Sequence, residues 1–98
     1  MNINQIKDGN TLTISLVGRL DTTTAPELEE VLKEALEGVE DLCFDLEKLE
    51  YISSAGLRVL LQAQKTMNKQ GTMKVKNAGE IIMEIFEVTG FTDILTIE

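Results

Sequence analysis

The feature that most restricts the fold is a repeated change in the spacing of apolar residues. At Thr11–Val17 they fall on every second position, with Leu12, Ile14 and Leu16 set against Thr11, Thr13 and Ser15. A period of two belongs to a strand with one buried face. From Leu28 the spacing becomes three and four, through Val31, Leu32, Ala35 and Leu36, while Glu29, Glu30, Lys33, Glu34 and Glu37 take the opposite side. That is the stripe of an amphipathic helix. Leu42-Cys43-Phe44-Asp45-Leu46 does not alternate and reads as a strand covered on both faces by helices. Helical spacing returns at Leu57, Leu60, Leu61 and Met67, and alternation at Thr72–Lys76. Ile81, Ile82, Ile85 and Phe86 mark a third helix, and Ile94, Leu95 and Ile97 a short last strand.

Turn chemistry supports these boundaries. Asp8-Gly9-Asn10 joins Asn2–Lys7 to Thr11–Val17 as a hairpin. Thr24, Pro26 and Glu27 suit a capped helix start, with Thr24 and Glu27 spaced as a capping box. Gly38, Gln70-Gly71 and Thr89-Gly90 close the three helices in turn. The second helix begins near Ala55 or Gly56. The predicted order is β-β-α-β-α-β-α-β: a single α/β domain over residues 1–98. Its sheet is mixed, with one antiparallel hairpin and parallel crossovers, and its helices pack mainly on one face.

Absences in the composition exclude whole classes of chemistry. The 98 residues include no His, which removes a Ser-His-Asp triad, a phospho-histidine carrier and a His-ligated metal. Cys43 is alone, so neither an internal disulfide nor a multi-cysteine site can form, and its apolar neighbours predict a buried small hydrophobe. The net charge of −8 repels phosphate backbones and argues against nucleic acid as a partner. The apolar runs are far shorter than a membrane span, and Met1–Gln5 carries no basic start of a secretory signal. A soluble cytoplasmic domain with no membrane partner is the expectation.

One segment is unlike ordinary core: Glu50-Tyr51-Ile52-Ser53-Ser54-Ala55-Gly56-Leu57-Arg58-Val59-Leu60-Leu61. Two hydroxyls precede the first turn of an apolar helix, where backbone N–H groups lack helical partners. Either Ser53 or Ser54 caps the helix, worth about 0.5–2 kcal/mol, or Ser54 accepts a phosphoryl group beside a helix N-terminus. Gly56 allows close backbone approach, for packing or for a partner. Arg58 lies one turn beyond Ser54, as a surface residue or a partner for an acidic group or phosphate. Asp45, near a strand end, is expected to make a local hydrogen bond rather than ligate a metal.

The segment Ile52-Ser53-Ser54-Ala55-Gly56-Leu57-Arg58-Val59-Leu60-Leu61, preceded by Gly18-Arg19-Leu20-Asp21 and followed by Val88-Thr89-Gly90-Phe91, resembles the STAS domain. More narrowly it is similar to bacterial anti-sigma-factor antagonists, over nearly the whole chain. The resemblance implies a protein switch rather than an enzyme, with no cofactor of its own. In that family the unphosphorylated antagonist binds an anti-sigma factor that is also a serine kinase using ATP and magnesium, which frees a sigma factor. Phosphorylation ends the interaction and a phosphatase restores it. The acceptor serine falls on Ser54, and partner contact on Asp21, Ser53, Ser54, Gly56, Leu57 and Arg58. Many phosphorylated members carry Asp immediately before the acceptor; here Ser53 stands there, and is a second candidate for modification. The alternative is a STAS module without phosphorylation, serving as a scaffold or a small-ligand sensor in a signalling complex.

Overall fold

The computed structural model describes residues 1–98. Strand β1 (Asn2–Asp8) pairs antiparallel with β2 (Thr11–Leu20), joined through Gly9 at φ 62°. Helix α1 (Ala25–Ala35) leads to β3 (Asp41–Asp45) and β4 (Leu49–Ile52). Helix α2 (Ser54–Asn68), β5 (Thr72–Lys76) and α3 (Glu80–Thr89) follow. The sheet runs β1-β2-β3-β5, with β4 also on β2, and only the β1–β2 pairing is antiparallel.

The expected mixed α/β architecture is present, with two differences in its elements. First, β4 is a strand in its own right. β2 pairs with β3 over Thr11–Ser15, then with β4 over Gly18–Leu20. The change of partner falls at Gly18, whose φ of 111° accompanies a register shift between Gly18 and Arg19; a side chain would be strained in that conformation. β2 therefore continues past Val17 to Leu20. Second, the expected last strand is reduced to one parallel bridge between Val75 and Ile97. Gly90 ends α3 in the left-handed region at φ 79°, and a 3-10 turn at Phe91–Asp93 stacks Phe91 against Phe86 with centroids 6.4 Å apart. Those residues are consumed in turning, and Leu95 drops into the core.

Register explains the packing. Leu12, Leu42 and Met73 form one row across the sheet and Ile14, Phe44 and Val75 the next. All six are buried in a cluster with Leu28 and Leu32 of α1, Leu57 and Leu60 of α2 and Ile82 and Phe86 of α3. The intervening rows, Thr13-Cys43-Lys74 and Ser15-Asp45-Lys76, face away from that cluster. Strand β3 is thus covered by helices on one face only, which corrects the two-faced reading of Leu42–Leu46. Cys43 interrupts the alternation because a small apolar residue is buried among neighbouring side chains on the second face, at 4% exposure. Burial pushes its thiol pKa up, so it holds little reactive thiolate.

Candidate functional site

Strands β2 and β4 end side by side, with Leu20 opposite Ile52, and the chain turns from this shared edge into α2. Ser53 sits at the joint. Its N–H donates to the Leu20 carbonyl at 2.8 Å, and its own carbonyl accepts from Leu57 N–H at 2.9 Å. Its backbone is extended (φ −94°, ψ 175°), and its Oγ accepts from Gly56 N–H at 3.3 Å. Ser53 is therefore the cap.

Ser54 is the first helical residue and is exposed. With the capping position taken by its neighbour, the Ser54 hydroxyl makes no hydrogen bond within the chain. Beneath it the helix is pressed onto the strand ends. A Cβ on Gly56 would lie 2.7 Å from Leu20 Cγ and 2.9 Å from both Ile52 Cγ1 and the Leu20 carbonyl oxygen. Gly56 and Leu57 are both buried. Of the residues expected to touch a partner, these two lie under the surface as its support, and Arg58 lies on it, exposed.

Asp21 follows Leu20 and so flanks Ser53, yet its carboxylate is engaged in its own loop. Asp21 Oδ1 accepts from the Thr23 hydroxyl at 2.7 Å, Thr23 N–H at 3.0 Å and Thr24 N–H at 3.2 Å. The Thr23 hydroxyl, more than any other donor, holds the Asp21 pKa below the usual carboxylate value. The Thr24–Glu27 capping box does not form. The Thr24 hydroxyl donates to the Arg19 carbonyl at 2.7 Å and accepts from Asp21 N–H at 2.8 Å. The same turn leaves Asp21 Oδ2 facing Arg19 Nε at 3.9 Å.

Arg19 and Tyr51 complete the site; both stand within the sequence motifs, which assign neither a role. They are register partners on the last paired rungs of β2 and β4, and the guanidinium lies 4.6 Å from the centroid of the Tyr51 ring, within cation–π range. Their signal was alternation: with Leu20 and Ile52 turned inward, Arg19 and Tyr51 must turn out. On the other flank of Arg58, α1 and α2 border an open groove of about 650 Å³ floored by Leu32, Leu36, Val59 and Ala63. Asp45 lies apart, accepting from Glu47 N–H and Asn77 Nδ2, each at 3.1 Å. No three His, Cys, Asp or Glu side chains are grouped to hold a metal ion, and no helix is long and apolar enough to cross a membrane.

Residues 2–98 match the family model for the STAS domain. The chain belongs to the STAS domain family. The anti-sigma-B factor antagonist of Bacillus subtilis (strain 168) is 32% identical to this STAS domain over 98 residues, covering 99% of the chain and 90% of the relative. That of Staphylococcus epidermidis is 31% identical over 97 residues, covering 97% and 90%. Among solved structures, an anti-sigma factor antagonist from Mycobacterium paratuberculosis superposes with a TM-score of 0.89 at 22% identity, over 98% of this chain and 83% of that one. The phosphorylated form of the Bacillus cell fate determinant SpoIIAA gives 0.77 at 17% identity, over 99% and 91%. These structures share the STAS fold, and the named relatives are regulators.

Proposed function

We propose that this STAS domain is a cytoplasmic anti-sigma-factor antagonist whose binding is switched by phosphorylation of Ser54. Unmodified, it binds an anti-sigma factor that is also a serine kinase, and a sigma factor is freed. The kinase supplies ATP and magnesium; the antagonist supplies the acceptor hydroxyl and the surface, and catalyses nothing itself. In the transfer, Ser54 Oγ forms a bond to the γ-phosphorus as the bond to the ADP oxygen breaks, and the hydroxyl proton passes to a base on the kinase. A phosphatase reverses the modification. The partner surface comprises Ser53, Ser54 and Arg58 with the Asp21 loop, supported from below by Gly56 and Leu57.

The observation that carries this reading is the division of labour between adjacent serines. Ser53 holds the helix end, and Ser54 is exposed with no intramolecular bond to its hydroxyl. A phosphate on Ser54 adds roughly −1.5 to −2 charges at neutral pH. The helix N-terminus favours that charge by about 0.3–1 kcal/mol at an exposed site, so the fold persists. A partner that must desolvate the dianion loses affinity.

Incubation with the purified kinase of the same organism and ATP, followed by intact mass and peptide mapping, tests the assignment. One phosphate on Ser54 is expected. The groove between α1 and α2 favours a second reading, a STAS module that carries a small ligand and is not phosphorylated. An unchanged mass with a kinase active on another substrate would select it.

A further inference from the structure

The chain has two arginines, and their surroundings differ. Arg19 is stacked on Tyr51 and faces Asp21. Arg58 is exposed and belongs to none of the ion pairs, which join Arg19 to Asp21, Lys33 to Glu30 and Lys74 to Glu98. An unpaired guanidinium is notable on a chain with 17 acidic residues. Arg58 lies four positions after Ser54 on α2, and both residues are exposed. Side chains at that spacing are neighbours on a helix surface, and the favourable order places the anion nearer the N-terminus.

We infer that Arg58 is the intramolecular counter-ion of a phosphate on Ser54, a pairing that rests on the phosphorylation proposed above. A guanidinium matches phosphate oxygens with two parallel N–H donors. Before modification Arg58 is free on the rim of the groove between α1 and α2, available to an acidic group on a partner. After modification it turns back along its own helix. The phosphate then acts twice: it places a dianion in the contact surface and withdraws a cation from it. Arg58 shares the groove lining with Glu29 and Lys33 of α1 and with Glu37 just past its end, and Asp21 and Arg19 lie at the strand ends. Lys33 is held by Glu30 and Arg19 by Asp21, so neither competes as an unpaired cation.

The test uses the full chain with phosphoserine installed at position 54 during synthesis, so that no kinase is required. Phosphorus NMR titration reads the second ionisation of the phosphate, which lies near pKa 6 when unperturbed. With Arg58 present it should be lower by a few tenths of a unit than in Arg58→Ala, with Arg58→Lys between them and the difference shrinking in high salt. Identical titrations in the wild type and Arg58→Ala overturn the pairing. That result leaves the kinase assay untouched, and an unphosphorylated Ser54 in the kinase assay leaves the titration untouched, so the two ideas fail separately. Circular dichroism of Arg58→Ala guards the comparison; a native spectrum is expected for a change at an exposed position.

Discussion

Replacing Ser53 and Ser54 one at a time by Ala should separate their roles, because the structure gives them unequal work. Ser53 Oγ accepts the Gly56 N–H at 3.3 Å, at the long end for a hydrogen bond. Caps of this kind contribute about 0.5–2 kcal/mol, and the length of this one places Ser53→Ala in the lower half, about 0.5–1 kcal/mol. For a domain of this size that lowers Tm by roughly 2–8 °C. Ser54→Ala removes no hydrogen bond and substitutes a good helix former at an exposed first-turn position, so its effect should lie within about 0.5 kcal/mol of zero. Equilibrium urea unfolding followed by circular dichroism measures both, with unchanged m-values required for the comparison. The phosphorylation assay should give the opposite pattern: Ser53→Ala remains a substrate and Ser54→Ala does not. If Ser54→Ala is the more destabilised variant, or if phosphate maps to Ser53, the reasoning from capping geometry is wrong.

Two further outcomes follow from the same corner of the fold. Gly56→Ala places a Cβ 2.9 Å from the Leu20 carbonyl oxygen, a backbone atom that cannot move aside cheaply. Overpacking of this kind costs about 1–3 kcal/mol and the helix-propensity gain returns only about 0.5–1; thermal unfolding should show a net loss, and a more stable variant would contradict the packing. Asp21 has a folded-state pKa below its unfolded value because Thr23 and Thr24 donate to its carboxylate. The unfolded chain therefore binds more protons in the acid range, so this contribution is present above about pH 4 and lost as pH falls through the folded pKa. Asp21→Asn should flatten the fall in stability below about pH 4, and an unchanged acid slope would show that the loop bonds do not hold in solution.

Much of this was legible in the chain because apolar spacing reports directly on which face is buried. Leu12, Ile14 and Leu16, and the stripe from Leu28 to Leu32, lie where the periodicity puts them. Features set by long-range pairing were harder to read. β4 is four residues long, too short for a periodic signal, and it exists because β2 changes partner at Gly18. Cys43 masked a regular alternation by being buried on the face opposite the main core. Ile94–Ile97 has strand composition, but the turn begun at Gly90 leaves length for a single bridge. In the site, the serine pair was evident and the choice of cap was not, since both serines have the same chemistry. The deciding contact is Ser53 N–H to the Leu20 carbonyl, made across 33 positions of sequence. The Thr24 capping box failed for a related reason: its hydroxyl was claimed by Arg19 and Asp21. The Arg19–Tyr51 stack depends on strand register, which single positions do not carry.

The most direct test of a fold-preserving switch is the affinity of the purified anti-sigma factor for the chain in two forms, unmodified and carrying phosphate on Ser54, measured by calorimetry alongside circular dichroism of each. The account predicts tight binding by the first, at least a hundredfold weaker binding by the second (about 2.7 kcal/mol), and superimposable spectra. Equal affinities would contradict a switch at Ser54, and a collapsed spectrum for the phosphorylated form would contradict release by local charge.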